Sequence, residues 1–110
     1  MNIVNLTPHT ITVLVSGEIE HEYSFPPSGQ VARVSVKNAP DGDINGIPVS
    51  KPIYGEVEGL PAPEPGVIYI VSMLVGQRCP GRSDIIGPDS GPSAIRENGQ
   101  IKAVRGFVRF

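Results

Sequence analysis

Residues 67–71 read VIYIV, and residues 72–79, SMLVGQRC, follow them directly. Five consecutive apolar residues, most of them β-branched, are typical of a strand buried on both faces, so residues 67–71 are predicted to be the central strand. The residues after it lose that pattern and predict one or two turns of helix, with Ser72 as the N-cap. Pro80-Gly81 is predicted to end this helix, because proline cannot continue the helical ladder.

Shorter segments on both sides of this strand have the alternation or the β-branched composition of strands. The predicted strands are Thr10–Val15, Glu18–Tyr23, Val31–Lys37, Ile47–Val49, Ile53–Val57 and Ala103–Val108.

Three further segments are predicted from their turn residues. Asn98-Gly99 predicts a two-residue hairpin turn between residues 95–97 and 100–102, since both central positions of a type I′ turn need a positive φ. Residues 38–46 (NAPDGDING) are predicted to be a mobile polar loop, and residues 60–66 (LPAPEPG) a stiff, polyproline-like connector.

These segments predict a mainly β (α+β) fold: a small antiparallel sheet or partial barrel, with one short helix after the central strand, in a single domain over residues 1–110. The composition agrees, because glycine and proline make up 25 of 110 residues, about 23 %, where ordinary domains have about 12 %. That excess excludes a helical bundle. A hydrophobic content of 39 % with a net charge of −2 favours a folded chain over a disordered one.

Several classes of protein are excluded by what the sequence lacks. No run approaches the roughly 20 apolar residues of a membrane span, and residues 1–5 do not begin a secretory signal. We therefore expect a cytoplasmic protein with no membrane partner. One cysteine, Cys79, and two histidines, His9 and His21, can form neither an internal disulfide nor a cysteine-based zinc site, so no metal or cofactor is expected.

The charges are distributed unevenly along the chain. Residues 1–77 have a net charge of −5 and residues 78–110 of +3, and five of the six arginines lie in this last third. Guanidinium groups suit a compact anionic partner with phosphate or carboxylate groups; alternatively, these arginines only solvate the outer faces of strands. Duplex nucleic acid is not expected as a partner, because the pI is about 5.6 and no basic stripe with aromatic residues occurs.

Two places have side chains suited to a binding site. Arg82 and Asp84 could hold a phosphate and a ribose or base edge; the alternative is a local structural pair in which Asp84 forms an Asx turn. His9, just before the first long strand, could bind a ligand or act as a base, or it could simply belong to a turn that Asn5 or Thr7 forms. Without a nucleophile elbow or a phosphate loop in the sequence, no catalytic residue is expected.

Three stretches resemble small proteins encoded by bacteriophages and prophages: Ile3–His9, Tyr54–Pro61 and the tail from Tyr69 to Phe107. In its size and in its Arg82-x-Asp84 stretch the chain is also similar to the Thoeris anti-defence sponge family. Members of that family form oligomers that sequester cyclic ADP-ribose-type immune signals without cleaving them. The resemblance implies that Arg82 and Asp84 lie at the ligand pocket, with Arg96 or Arg105 on phosphate and an aromatic side chain stacked on adenine.

We therefore expect a phage-encoded, non-enzymatic protein of the host cytoplasm that binds a small anionic, nucleotide-derived signal and blocks host defence. The predicted ligand-binding residues are Arg82, Asp84, Arg96, Arg105, His9 and Ser72. A homo-oligomer is expected, because a domain of this length has little interior for a nucleotide pocket and subunit interfaces can supply one.

Two alternatives remain open. The first is a structural or protein-interaction module of a phage, for host takeover or assembly, which docks through an apolar edge at residues 104–110. The second is an enzyme acting on nucleotides with His9 and Asp84 as acid and base.

Overall fold

The computed structural model describes all residues from Met1 to Phe110. Ten strands and one helix make up the fold, which confirms a mainly β protein whose single helix directly follows the central strand. In chain order the elements are β1 (Asn2–Asn5), β2 (Ile11–Val15), β3 (His21–Phe25), β4 (Arg33–Ile44), β5 (Ile47–Glu58), β6 (Val67–Ile70), α1 (Met73–Gln77), β7 (Ile85–Pro88), β8 (Ile95–Glu97), β9 (Gln100–Ala103) and β10 (Phe107–Val108).

The central sheet has four strands in the order β1-β6-β7-β10. It is mixed rather than antiparallel: β6 pairs in parallel with both β1 and β7, and only β10 is antiparallel to its neighbour. Residues 71–84, which contain α1, return the chain to the end of the sheet where β6 begins, so that β7 runs parallel to β6. The other three sheets are separate two-stranded hairpins, so the strands do not close into a barrel.

The hydrophobic core lies where the helix packs over this sheet. Its buried cluster is Leu6, Ala32, Tyr69, Val71, Val75 and Ile85. Ser72 caps α1 as predicted, and its Oγ accepts a 3.3 Å hydrogen bond from the Val75 amide. The helix therefore begins at the end of the central strand and buries Val75 against it.

The predicted hairpin at Asn98-Gly99 is confirmed. Both residues have positive φ, 53° and 79°, and they connect the antiparallel strands β8 and β9. A parallel bridge between Val13 and Val104 joins the end of this hairpin to the β2–β3 hairpin, which brings β2 and β9 side by side.

The prediction of a mobile polar loop over residues 38–46 is wrong. These residues belong to β4 and to the turn of a long hairpin in which β4 and β5 pair along 12 residues each. We call the β4–β5 hairpin the arm. Its turn is Asn45-Gly46, with φ of 52° and 80°, the same turn as at residues 98–99.

The arm makes the molecule elongated. The radius of gyration is 16.8 Å and the principal extents are 57 × 36 × 24 Å, whereas a compact domain of this length has a radius of gyration of about 13 Å. Only the base of the arm, at Ala32, Val34 and Val57, packs with the core. The single helix, with five residues, is too short to span a membrane.

The stretch expected to form an apolar edge, residues 104–110, contains the edge strand β10 of the central sheet and is only partly covered. Val104 is 3 % exposed, β10 pairs with β7, and the Phe110 ring lies against Gly76 and Gly87. Val104 and the Phe110 ring therefore pack within the chain, while β10 keeps one unpaired edge.

Candidate ligand-binding cleft

A buried polar network shapes the turn that leads to His9. Asn5 is 2 % exposed, and its Nδ2 donates to the carbonyl oxygens of His9 and Phe25, both at 2.8 Å. Its Oδ1 accepts from the Thr7 amide at 2.9 Å and the Thr7 hydroxyl at 2.7 Å. Every polar atom of the Asn5 side chain thus has a partner, and none is free to bind a ligand. The network holds the backbone at His9 in place.

A cleft of about 260 Å³ opens beside this turn. It lies between the start of β2, the end of β9 and the chain that leaves β7 at Pro88. Its polar and basic lining residues are His9, Thr10, Thr12, Ser90 and Lys102, and the rest of its wall is mainly apolar.

The lining of the cleft favours an anionic ligand. The lining residues include Lys102, His9 and three hydroxyl-bearing residues and no carboxylate, while most of the cleft surface is apolar. Lys102 pairs with Glu97 at 3.1 Å, but its side chain is 68 % exposed, and such surface pairs contribute little and rearrange readily. His9 is likewise exposed. Both side chains can therefore turn toward an anion that enters the cleft.

Arg96 holds one wall of the cleft in place. Its guanidinium donates to the carbonyl oxygens of Ser90, at 2.8 Å, and Gly91, at 3.2 Å. In the same loop, Asp89 accepts a hydrogen bond from the Gly91 amide at 3.2 Å. Of the predicted ligand-binding residues, His9 lines the cleft, whereas Arg96 only holds the Ser90 loop in position.

Arg82 and Asp84 form a structural pair outside this cleft. Nε and Nη2 of Arg82 donate to the two carboxylate oxygens of Asp84, at 3.0 and 2.6 Å, and Nη2 also donates to the Pro61 carbonyl at 3.1 Å. The hydrogen bond with Arg82 holds the pKa of Asp84 below its usual range and raises that of Arg82. The pair ties the proline-rich connector to the segment that enters β7.

Arg105 and Ser72 also have partners within the chain. Arg105 Nη1 donates to Glu20 at 3.2 Å and to the Ser16 hydroxyl at 3.3 Å, so it braces the β2–β3 hairpin. Ser72 caps α1 and lines a different cavity, on the core side of the helix. His9 and Asp84, the residues considered for acid–base chemistry, thus lie in separate surroundings, and Ser72 lies in a third.

Sequence reasoning missed Thr10, Thr12, Ser90 and Lys102 as cleft residues. They come from three segments that are far apart in sequence, and only the pairing of Val13 with Val104 brings them together. The available signal was the hydroxyls of Thr10 and Thr12 at the start of a strand that directly follows His9. No aromatic side chain lines the cleft, so its walls hold no stacking partner for a base.

Comparison of the chain with protein-family models, with curated proteins and with solved structures finds no match.

Proposed function

We propose that this protein binds a small anionic ligand in the cleft between β2 and β9 and sequesters it without chemical turnover. The observation that carries the proposal is the lining of the cleft, with two basic side chains, three hydroxyls and no carboxylate. Cations and hydroxyl donors around one concave surface favour a phosphate-bearing ligand over a neutral or basic one.

The ligand class that we propose is a nucleotide-derived signal of the cyclic ADP-ribose type, with the protein acting in phage counter-defence. The resemblance of three sequence stretches to small bacteriophage proteins, and the similarity to the Thoeris anti-defence sponge family, support this class. The cleft of about 260 Å³ is smaller than a typical drug-sized site of about 300–1,000 Å³. Its size suits a phosphate with its ribose, while the base remains outside.

Calorimetric titration with ADP-ribose and with cyclic ADP-ribose isomers tests the proposal, with uncharged adenosine as the ligand control. We expect binding that weakens as salt is added, because solvent ions screen the charges. Lys102→Met and His9→Gln should each weaken binding about tenfold or more, the loss of roughly one charged contact. Lys51→Met is the matched control, since it removes an equally exposed charge on the arm.

The fate of the ligand separates sequestration from catalysis. After heat denaturation of the complex, the ligand should be recovered unchanged and in proportion to the protein added. The absence of binding by any phosphate-bearing probe, or equal binding by Lys102→Met and wild type, would contradict the proposed site. Recovery of a cleaved ligand would contradict sequestration and would favour an enzyme.

A specific observation favours a second candidate, a protein-interaction module. The arm exposes large apolar side chains: Val36, Ile44, Ile47, Ile53 and, with one face of its ring against Arg78, Tyr54. Apolar surface of this kind marks interaction sites. Affinity capture from infected cells should then yield a stoichiometric phage or host protein, and Ile44→Thr/Ile47→Thr should lose it. Ligand binding in the cleft with no captured protein would favour the first candidate.

A further inference from the structure

The tip of the arm is apolar, unlike an ordinary polar hairpin tip. Ile44 and Ile47 flank the Asn45-Gly46 turn and are 64 % and 66 % exposed. The tip lies about 35 Å from the base of the arm, at roughly 3.3 Å per residue of strand. A two-stranded ribbon gains little stability by itself, and the two isoleucines at its far end remain largely exposed.

The chain also contains an apolar cavity near the base of the arm. This cavity is shallow and open to solvent, has a volume of about 310 Å³ and lies between α1 and the start of β4, with a mainly apolar lining that includes Leu6, Val31, Val34, Leu74 and Val75. The cavity cannot receive the tip of its own arm, because the tip is a full arm length away.

The charges beside the two features are complementary. Asp43 is next to the tip isoleucines, whereas Arg33 lines the cavity. Neither residue forms an ion pair within the chain. If the tip of one copy entered the cavity of another, Asp43 of the first copy would approach Arg33 of the second. The resulting arginine–carboxylate pair would lie at the rim of the apolar contact.

Edge-to-edge pairing of two arms is a poorer arrangement. Pro40, Pro48 and Pro52 occupy paired positions of the arm. A proline fits into a two-stranded ladder where its nitrogen faces the outer edge, and there it removes a donor that a further strand would need. Prolines therefore interrupt both edges, and contact through the tip and the face of the arm is favoured.

We propose that the arm docks on a second copy of this chain, with Ile44 and Ile47 inserted into the partner's cavity. With the two arms antiparallel, one two-fold axis places each tip at the other copy's base, so both insertions form together and the assembly closes as a dimer. The proposal does not depend on ligand binding at the cleft between β2 and β9.

Sedimentation velocity over a concentration series tests the proposal on the full chain. Wild type should form a dimer, and Ile44→Thr/Ile47→Thr should raise its dissociation constant at least about tenfold. Threonine keeps the β-branched shape that suits a strand. Ile19→Thr is the matched control, since Ile19 is 73 % exposed on another hairpin, and it should dimerise as wild type does.

A charge-reversal pair makes the test specific for two copies of this chain. Arg33→Asp alone and Asp43→Arg alone should each be mainly monomeric, because each homodimer would then place like charges together at both contacts. An equimolar mixture of the two variants should form a heterodimer, since both of its contacts pair opposite charges. Residues 33 and 43 of one chain are about 33 Å apart along the strand, so no contact within a chain explains such a rescue.

Circular dichroism should show that each variant is folded before the mixture is scored. A wild type that stays monomeric at all concentrations would overturn the proposal. So would threonine variants that dimerise as tightly as wild type, or a mixture as monomeric as its components. Ligand titration of the same samples keeps the two proposals apart, because a monomer can still bind a ligand in its cleft.

Discussion

Arg82 uses its hydrogen-bonding groups within the chain. Its Nε and Nη2 donate to Asp84, and Nη2 also reaches the Pro61 carbonyl. The side chains of Arg82 and Asp84 are only 25 % and 15 % exposed, so a ligand would have to break a partly buried, bidentate pair in order to use either group. The geometry of residues 82–84 therefore favours a structural pair over a ligand-binding site.

The first prediction is a pH dependence of stability that arises from Asp84. Its pKa in the folded state lies below the unfolded value of 3.8, mainly because of the hydrogen bond from Arg82. The stabilisation is therefore fully present above the unfolded pKa and is lost as the pH falls through the lower, folded pKa. Asp84→Asn should cost about 1–2 kcal/mol at pH 7, with a smaller difference from wild type at pH 2–3.

Urea denaturation at several pH values measures this difference. Asp89→Asn is a suitable control, because Asp89 accepts hydrogen bonds from its own loop but forms no ion pair. A difference between Asp84→Asn and wild type that stays constant down to pH 2 would contradict the assigned role.

At the scale of elements, two identical turns organise two of the hairpins. Asn45-Gly46 and Asn98-Gly99 both have positive φ at each residue. The sequence signal is the same in both, yet only the second is flanked by residues with clear strand character. Prolines at 40, 48 and 52 and glycine at 42 conceal the strands of the arm, which tolerates them because both of its edges are open.

The second prediction concerns the turn of the arm. Gly46→Ala places a side chain at a φ of 80°, which should cost about 1–2 kcal/mol. Since the distal arm is separate from the core, the loss should appear as faster amide hydrogen exchange in β4 and β5, with little change in β6 or β7. Gly106→Ala is the control, as Gly106 has no positive φ and no atom near the site of a new Cβ. Unchanged exchange in the arm would contradict the prediction.

The Phe110 ring contacts two glycines on neighbouring elements. A Cβ on Gly76 would overlap the Phe110 ring, and one on Gly87 would lie 2.7 Å from it. Gly76 belongs to α1 and Gly87 to β7, so the absence of two side chains creates the space in which the ring joins helix and sheet.

The third prediction is that the effect of Gly76→Ala on stability changes sign when the Phe110 ring is removed. In wild type, Gly76→Ala should destabilise the protein by up to about 1–2 kcal/mol, the contribution of a half-buried phenylalanine ring that it displaces. In a Phe110→Ala background the same change should stabilise the protein by about 0.5–1 kcal/mol, because alanine favours helix over glycine. Denaturant unfolding of the four proteins completes the double-mutant cycle. Equal effects in both backgrounds would exclude the ring as the cause.

At the scale of the whole molecule, the arginines of the last third do not form a cluster. Four of the five support different segments: Arg78 stacks on Tyr54 at 4.0 Å, Arg82 holds the proline-rich connector, Arg96 the Ser90 loop and Arg105 the β2–β3 hairpin. The fifth, Arg109, donates to the Ser83 carbonyl at 3.5 Å, next to Arg82. Arginines close together in sequence are thus spread by the fold, and the cleft is lined by Lys102 and His9 instead.

The fourth prediction concerns the shape of the molecule. Replacing residues 38–52 with Asn-Gly joins the paired residues Lys37 and Ile53 through the turn that the arm already uses. Small-angle scattering of the monomer should show the radius of gyration falling from 16.8 Å toward about 13 Å. The free energy of unfolding should change by less than about 1 kcal/mol, since the distal ribbon adds little to the core. A large loss of stability would show that the arm supports the fold.

The sequence by itself determined the central strand, the helix that Ser72 caps and the hairpin at Asn98-Gly99. Each depends on neighbouring residues: an apolar run, one side-chain oxygen at a helix start, or two residues that accept positive φ. The mainly β class follows from the same local patterns together with the excess of glycine and proline.

The tertiary structure alone decided the parallel pairing of β6, the length of the arm and the composition of the cleft. A four-residue strand such as β7 has too few positions to show a period, so its presence depends on pairing with Ile70 and Tyr69. The cleft is assembled from three segments joined through Val13 and Val104. Sequence spacing does not encode such contacts, because they form only when packing brings distant parts of the chain together.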